Sequence, residues 1–208
     1  MPNKGIKNIV FDLGNTLLFF DFSYFYSGLA NREKRFNISA FKKFIHQRKY
    51  DIKLMKGNMT HRDFFRILKR KFDLKISYSD FIYLYSDIFW INYSMKHFLE
   101  KLARIRKFKL FLLSNTDTVH INFIDKNYPF TKLIRNRILS FRVKSIKPEK
   151  KIFRYLIERY KIKPQESVVI DDIKENLITA SSLGFHTILY RNHKKFIKEL
   201  SRILSSTK

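Results

Sequence analysis

The sequence predicts an α/β fold, a doubly wound parallel sheet with an inserted all-helical subdomain. Four short apolar runs each end in polar residues and lead into a helical pattern, an alternation typical of a parallel sheet with helices on both faces. The runs are Ile6–Phe11, Lys109–Leu113, Ser167–Ile170 and His186–Tyr190. The interval between the first two runs is much longer than that between the second and third. The extra chain predicts a subdomain inserted directly after the first strand.

The inserted segment is predicted to be helical throughout, because aromatic and apolar residues recur in it at three- and four-residue spacing. Its clearest helices are Ile38–Tyr50, His61–Phe72 and Tyr78–Trp90. Thr60 and either Ser77 or Ser79 have the residue type and position of helix N-caps. The predicted division is a core of residues 1–18 and 94–208 and a helical cap of residues 19–93.

The C-terminal part of the chain follows the same alternation to its end. We expect a helix after Lys147, packed between the second and third strands, and a closing helix over His193–Ile203. The last residues, Ser205–Lys208, are polar and are expected to fray.

The chain is strongly basic, with 208 residues, a formal net charge of +25 and a pI of about 10.2. Nucleic-acid binding is one explanation of such a charge. However, Lys and Arg are spread along the whole chain, and the accompanying excess of Phe, Ile, Tyr and Asn resembles the proteins of AT-rich genomes. We therefore expect no specific nucleic-acid partner, with attraction to anionic substrates as a side effect.

Residue counts and hydropathy exclude several other classes of protein. The chain has no cysteine, which excludes disulfides and cysteine-ligated zinc. The residues before Asp12 contain no long apolar segment, and no stretch reaches the roughly 18 uncharged apolar residues that a membrane helix needs. We expect a cytoplasmic protein with no membrane partner.

Polar residues follow three of the predicted strands at the point where each strand ends. They are Asp12 after the first strand, Ser114 and Asn115 after the second, and Asp171 and Asp172 after the third. Ligands of open parallel sheets bind outside the carboxyl ends of the strands. These side chains, together with Lys147, are therefore expected to meet in one crevice.

This set of side chains suits the hydrolysis of a phosphate ester. A carboxylate such as Asp12 can attack phosphorus and form an acyl phosphate, which divides hydrolysis into two steps. Carboxylates at strand ends are hard oxygen ligands of the kind that Mg²⁺ prefers. Ser114 and Asn115 can donate hydrogen bonds to phosphoryl oxygens, and Lys147 offsets the repulsion between nucleophile and phosphate. The sequence therefore predicts a Mg²⁺-dependent phosphomonoesterase acting on a small phosphorylated metabolite.

Four stretches resemble, in order and spacing, the four motifs of the haloacid dehalogenase-like hydrolases. They are FDLGNTL (Phe11–Leu17), LLSNT (Leu112–Thr116), SIKPEKKIF (Ser145–Phe153) and VVIDDIKENLITASSLGF (Val168–Phe185). The resemblance implies a Rossmann-like core, and the helical insertion stands where the family carries its type-one cap. SNTDTVH (Ser114–His120) together with FDLGN is similar to the bacterial sugar-phosphatase branch, notably the α-glucose-1-phosphate phosphatases.

The resemblance also implies a role for each matching residue. Asp12 would be the nucleophile that forms an aspartyl phosphate, and Lys147 the catalytic cation. Mg²⁺ would be held by Asp12, the backbone carbonyl of Gly14, Asp171 and Asp172, with Asn176 supporting these ligands. Ser114 and Asn115 would bind the transferring phosphoryl group. His120, one helical turn beyond Thr116, could face the site and bind substrate, or it could be a packed or surface residue.

Two positions depart from the family pattern. Most phosphatases of the family have a second Asp two residues after the nucleophile, where it serves as general acid and base; this chain has Gly14, as does the sugar-phosphatase branch. The glycine usual shortly before the lysine of the third motif is replaced by Lys144 and Ser145. The first departure leaves the acid/base residue open.

Two other functions remain as alternatives. Haloacid dehalogenases use a similar Asp to attack carbon, need no metal and also lack the second Asp; the Asp171–Asp172 pair favours the metal enzyme. A degenerate, non-catalytic member that binds nucleic acid or protein through its basic surface is the second, and the intact Asp12 and Lys147 speak against it. The sequence leaves the substrate and the oligomeric state open.

Overall fold

Among the described residues, seven apolar or half-apolar segments form strands, which are arranged in two sheets. A computed structural model of the chain describes residues 5–34 and 36–206. Its strands are β1 (Asn8–Phe11), β2 (Leu18–Phe20), β3 (Phe89–Ile91), β4 (Lys109–Ser114), β5 (Asn136–Leu139), β6 (Ser167–Asp171) and β7 (His186–Leu189). The main sheet has the order β5-β4-β1-β6-β7 with every pair parallel, and β2 and β3 form a separate antiparallel ribbon.

Helices connect the parallel strands and fill the interval between β2 and β3. They are α1 (Ser23–Arg32), α2 (Ile38–Gln47), α3 (Tyr50–Met55), α4 (His61–Phe72), α5 (Tyr78–Ser86), α6 (Tyr93–Ile105), α7 (Thr118–Asn127), α8 (Ser140–Val143), α9 (Lys150–Tyr160), α10 (Lys174–Ser182) and α11 (His193–Ser206). Short 3₁₀ turns cover Pro129–Leu133 and Pro164–Glu166. In the part of the chain described, no helix is both long and apolar enough to cross a bilayer.

The two faces of the main sheet are both buried, as the doubly wound arrangement requires. Alternate residues of β1 point to opposite faces, because side chains of a strand alternate with a period of two. Ile9 and Phe11 join one apolar cluster, which includes residues of α6 and α11. Val10 joins the other, which includes residues of α9 and α10. The predicted fold class is therefore confirmed, and β1 owes its almost unbroken apolar sequence to this two-sided burial.

Helices α1–α5 form a separate layer of packing, which we call the helical unit. It has its own core of aromatic residues, among which Phe25, Phe41, Phe64 and Phe81 are almost completely buried. The ribbon of β2 and β3 joins it to the main sheet at both ends, with Leu18 opposite Ile91. The predicted boundaries near residues 18 and 93 thus fall at this ribbon, although the division into domains stays a prediction.

The predicted N-caps of two helices are seen in the side-chain contacts. Thr60 Oγ1 accepts a hydrogen bond from Asp63 N at 3.1 Å, and Ser77 Oγ accepts one from Asp80 N at 3.1 Å. Ser79 does not cap the helix; its hydroxyl lies 2.9 Å from that of Ser77. Each serine or threonine satisfies a backbone N–H that the helix itself leaves unbonded.

Three expectations about secondary structure are wrong, and one strand was not expected. The helix predicted over Ile38–Tyr50 ends at Gln47, and a new helix begins at Tyr50, because Lys49 adopts a left-handed backbone with φ of 51°. The insertion is not wholly helical: the helix expected over Tyr78–Trp90 ends at Ser86, and Phe89–Ile91 forms a strand instead. Tertiary pairing with β2 decides this short aromatic segment, whose period alone fits either structure. Strand β5 was not predicted, because NRIL has only two apolar residues and lies at the sheet edge. Residues 205 and 206 continue α11 rather than fray, and residues 207 and 208 lie outside the described residues.

Candidate active site

The carboxyl ends of three neighbouring strands bring the predicted site residues together. Asp12 directly follows β1, Ser114 is the last residue of β4, and Asp171 is the last residue of β6. Because β4 and β6 flank β1 in the sheet, these residues meet at one edge. All three are at least nine-tenths buried. The crevice expected from the order of strands is thus present in the fold.

Lys147 lies between two carboxylates in the middle of this crevice. Its Nζ is 2.6 Å from Asp12 Oδ1 and 2.6 Å from Asp171 Oδ2. Burial alone would lower the pKa of Lys147, but attraction to Asp12 and Asp171 raises it above its ordinary value. Lys147 is therefore a permanent cation beside the predicted nucleophile, held in place by two charge-assisted hydrogen bonds.

Asn115 holds the backbone of Lys147 on both sides. Its side-chain oxygen accepts a hydrogen bond from Lys147 N at 2.7 Å, and its side-chain nitrogen donates one to Lys147 O at 2.9 Å. The amide is thus committed to placing the lysine. The predicted contact of Asn115 with the phosphoryl group stays a prediction.

Asp171 is fixed by donors from the following helix. Its Oδ1 accepts hydrogen bonds from Ile173 N at 2.8 Å and from Asn176 Nδ2 at 3.0 Å. Asn176 Nδ2 is also 3.1 Å from Oδ2. The supporting position expected for Asn176 is therefore present, because it holds the carboxylate of Asp171 against Lys147.

Three carboxylates form a cluster with the chemistry of a divalent-cation site. One oxygen atom from each of Asp12, Asp171 and Asp172 lies within 4.8 Å of the others. Burial, opposed by Lys147 and reinforced by Asp171, raises the pKa of Asp12 to about 7. Burial and Asp171 also raise the pKa of Asp172. One lysine leaves two of the three negative charges uncompensated, so the cluster fits Mg²⁺ in both ligand type and charge.

Asn15 belongs to this cluster, although the sequence did not single it out. Its side chain hydrogen-bonds the carboxylate of Asp172 and lowers the pKa that burial raises. Asn15 adopts a left-handed backbone with φ of 50°, a conformation that asparagine tolerates better than most residues. Its place directly after Gly14 in the first motif is the sequence feature that could have indicated a role for Asn15 at the site.

Gly14 stands where most phosphatases of this kind carry their acid/base Asp, and a phenylalanine ring fills the space beside it. A Cβ atom at Gly14 would lie 2.7 Å from Phe20 Cε1. Any side chain at this position therefore requires Phe20 to move. Gly14 lines the cavity at the site, and metal binding through its carbonyl stays a prediction.

Lys144 has the left-handed backbone that favours glycine, which accounts for the glycine usual at this point before the lysine of the third motif. Its φ is 52°, and it ends α8 in the left-handed region. A residue with a Cβ atom is strained there by about 1 kcal/mol or more. The neighbouring Ser145 is fully buried and donates a hydrogen bond to Glu149 Oε2 at 2.8 Å. The chain thus keeps the turn without the glycine.

A cavity of about 270 Å³ lies between the strand ends and the helical unit. Gly14, Ser114 and Asn115 line it from the core, and the rings of Phe20 and Phe22 line it from the other side. Asp51 of α3 adds a carboxylate to the wall. The space is large enough for a small ligand.

His120 also lines this cavity, but its ring nitrogens are both occupied. Nδ1 is 3.0 Å from Asp117 Oδ2, and Nε2 is 2.9 Å from Tyr85 O. The residue is 6% exposed. Of the two readings of His120, the contacts are those of a packed residue in the cavity wall, and substrate binding by it stays a prediction.

Comparisons with known proteins agree with this geometry. A family model for haloacid dehalogenase-like hydrolases matches residues 6–184. D-ribitol-5-phosphate phosphatase from Bacteroides thetaiotaomicron is 25% identical over 216 aligned positions, which cover 97% of this chain and 100% of that protein.

Two crystal structures from the same organism are also similar. A haloacid dehalogenase family enzyme superposes with a TM-score of 0.82 and 26% identity over 90% of this chain and 95% of that one. A variant of that enzyme, in complex with magnesium and inorganic phosphate, superposes with a TM-score of 0.79 and 25% identity over the same shares. The resemblance drawn from the four motifs is confirmed, and the chain belongs to the haloacid dehalogenase-like hydrolase family.

Proposed function

We propose that this protein hydrolyses the phosphate monoester of a small sugar or sugar alcohol through an aspartyl phosphate on Asp12. The observation that carries the proposal is the buried arrangement of Asp12, Lys147 and Asp171 at the strand ends. The neighbouring Gly14 and Ser114 line a small cavity. The coarser part is confirmed by the family match and the relatives: the chain is a phosphatase of this hydrolase family with Mg²⁺ as its cofactor.

The contacts support a division of labour in the first step. An oxygen of Asp12 attacks phosphorus, the bond from phosphorus to the ester oxygen breaks, and the leaving alkoxide takes up a proton. Lys147 lies beside the attacking carboxylate, where its charge offsets the repulsion between two anions. We assign to the hydroxyl of Ser114, which lines the cavity, the role of donor to a phosphoryl oxygen. Mg²⁺, held by Asp12, Asp171, Asp172 and the Gly14 carbonyl, would supply further positive charge at the phosphoryl group.

The second step returns the enzyme to its starting state. Water attacks phosphorus, loses a proton, and the bond from phosphorus to Asp12 breaks, releasing inorganic phosphate and the free carboxylate. The side chain of Asn176 acts through Asp171, and that of Asn115 acts at least in part through Lys147, because these contacts fix the positions of Asp171 and Lys147. This assignment makes them positioning residues of the reaction.

The dehalogenase alternative is disfavoured by the acidic cluster. Attack on carbon needs no divalent cation, so it gives no reason to keep Asp171 and Asp172 within reach of Asp12. Burial, and to a lesser extent Asp171, raises the pKa of Asp12 and so disfavours its ionised form. A bound metal would offset this effect. The same cluster argues against a degenerate binding protein.

The substrate class can be tested by a screen of phosphate esters with Mg²⁺ present. The size of the cavity and the named activity of the Bacteroides relative support sugar-alcohol and sugar phosphates of five or six carbons. We expect phosphate release from D-ribitol 5-phosphate and from α-glucose 1-phosphate, and much less from nucleotides or bulky aryl esters. Activity restricted to nucleotides, or chloride release from 2-haloacids, would contradict the proposal.

Gly14 predicts a strong dependence on the leaving group. Without the second Asp, the alkoxide lacks a positioned acid, a form of help worth roughly 10²–10⁴ in rate. We therefore expect the anomeric phosphate to be hydrolysed faster than the primary-alcohol ester, and a steep leaving-group series. Gly14→Asp should speed primary-alcohol esters more than activated ones.

The ring of Phe20 decides how this variant must be made. Because a Cβ atom at Gly14 would meet Phe20 at 2.7 Å, the double variant Gly14→Asp/Phe20→Ala should show the gain more fully, with Phe20→Ala alone as its control. A flat leaving-group series in the wild type, or a basic limb of the pH profile that disappears in His120→Ala, would show that another group already supplies the proton.

A further inference from the structure

A buried polar network joins the helical unit to the core beside the active site. Its members are Asp117 and His120 of the core and His61 and Tyr85 of the helical unit, with exposed fractions of 1%, 6%, 6% and 6%. Buried polar side chains of this kind cost stability unless they bond to one another. The network is therefore a specific connection between the two parts of the molecule.

Asp117 is the centre of the network. Its carboxylate caps α7 by accepting hydrogen bonds from Val119 N at 2.9 Å and His120 N at 3.0 Å. It also accepts one from Tyr85 Oη at 2.9 Å, and it lies 3.1 Å from His61 Nε2. The helical unit thus supplies two of the groups that contact a carboxylate of the core.

The charge of Asp117 makes this connection sensitive to the position of the helical unit. Burial would raise the pKa of Asp117, but His120, and after it His61, hold the pKa well below its usual range. Burial and the Asp117 charge raise the pKa of Tyr85 well above ordinary values, so its hydroxyl remains a donor. If the unit moves away, the carboxylate loses Tyr85 and His61 together.

His120 is a second bridge between the two parts. Its ring stacks on that of Tyr85 with centroids 4.4 Å apart and an interplanar angle of 11°. Nδ1 faces the Asp117 carboxylate and Nε2 faces a backbone carbonyl of α5. The ring therefore contacts a carboxylate of the core and the backbone of the helical unit at the same time.

The network lines the same cavity as the residues proposed to bind the phosphoryl group. Asp117 follows Ser114 and Asn115 by three and two positions, and Asp117, His120 and Tyr85 all line the cavity at the site. We propose that Asp117 is a positioning residue for hydrolysis: it fixes the helical unit over Asp12 through Tyr85 and His61. This inference rests on the proposed function for its kinetic consequences and on the fold alone for its structural ones.

Asp117→Asn tests the proposal, because it keeps the shape of the side chain and replaces one acceptor oxygen by a donor. Hydrogen exchange should become faster in α4, α5 and the start of α7, with β1, β4 and β6 unchanged. The hydrogen-bonded ring N–H signals of His120 should disappear from the proton NMR spectrum. Asp125→Asn, on the same helix and paired with Arg137 at 2.6 Å, is the matched control and should change neither.

A kinetic split separates positioning from simple loss of stability. In Asp117→Asn, KM for a sugar-alcohol phosphate should rise by about tenfold or more, because the hydrogen bonds that hold the helical unit against the core are weakened. Acetyl phosphate, whose leaving group is too small to need the helical unit, should keep its kcat/KM within about twofold. Lys56→Met, which removes a partly exposed ion pair between the same two parts, should have little effect on either substrate.

Tyr85→Phe keeps the test decisive if Asp117→Asn does not fold. It removes only the hydroxyl that donates to Asp117 and should give the same exchange pattern and the same kinetic split, both weaker. Unchanged exchange in α4 and α5 in both variants, or an equal loss of both substrates, would overturn the proposal. Failure of the phosphatase assignment would leave the exchange and NMR results standing, so the two failures are distinguishable.

Discussion

Asp12→Asn is expected to lower kcat by at least about 10³-fold for every phosphate ester tested, with the fold unchanged. The rate should fall because the amide of the variant cannot form the acyl phosphate. Lys147 retains its hydrogen bond to Asp171 at 2.6 Å, and the site should therefore stay ordered. Phosphate release under steady-state conditions measures the loss.

A direct observation of the covalent intermediate complements the kinetics. Acid-quenched wild-type enzyme should carry phosphate on the peptide that contains Asp12, and the asparagine variant should carry none. Asp125→Asn, a carboxylate outside the crevice, should keep wild-type activity as the control for the chemical change itself. Near-normal turnover by the Asp12 variant would overturn the nucleophile assignment.

Asp12→Asn should also change how the stability of the fold depends on pH in the absence of metal. Burial, opposed by Lys147, raises the pKa of Asp12 to about 7, so the fold favours the protonated carboxyl. In the unfolded chain the group ionises near its ordinary value of 3.8. Ionised Asp12 therefore destabilises the fold progressively as the pH rises from about 4 towards 7 and reaches its full cost above that range. In EDTA, the asparagine variant should melt at a higher temperature than the wild type at pH 8, and the difference should vanish near pH 4.

The sheet was predictable from the sequence wherever a strand is buried on both faces. Ile9, Val10 and Phe11 must all be apolar because both sides of β1 are covered, and this produces a short run that no surface helix would show. Strand β5 has one covered edge and begins with Asn136 and Arg137, so its pattern is too polar to distinguish from a loop. Strands β2 and β3 were not predicted for another reason. Each has only three aromatic or branched residues, which fit a helix as well as a strand, and the pairing of the two distant segments decides which structure forms.

The candidate site was also predictable only in part: residues at strand ends could be found from the sequence, whereas contacts between distant segments could not. Asp12, Ser114, Asp171 and Asp172 were predictable because chain order alone places strand ends at one edge of a parallel sheet. The role of Asn115 was not, since its partner is the backbone of Lys147, thirty-two positions away. The network around Asp117 draws on α4, α5 and α7, and no spacing in the sequence connects His61 or Tyr85 with Asp117. Networks made by packing are visible only once the packing is known.

Chelation is expected to abolish the phosphatase activity, and Mg²⁺ is expected to restore it. Three carboxylates share one lysine in the crevice, and a phosphate ester brings further negative charge to the same place. A bound metal contributes several kcal/mol of charge stabilisation, so EDTA should reduce the rate to about 1% or less. Phosphate release before and after dialysis against EDTA, followed by a Mg²⁺ titration, measures both effects.

Binding of the ion can be detected without turnover, which separates metal dependence from an indirect effect on substrate. Mg²⁺ should raise the melting temperature of the wild type, because a ligand that binds only the folded state stabilises it in proportion to its concentration over Kd. Asp172→Asn removes one of the three proposed carboxylate ligands and should raise the Mg²⁺ concentration needed for half-maximal activity by about tenfold or more. Asp125→Asn should leave that concentration unchanged. Full activity in EDTA, together with a melting temperature indifferent to Mg²⁺, would contradict the metal site and favour an attack on carbon that needs only Asp12 and Lys147.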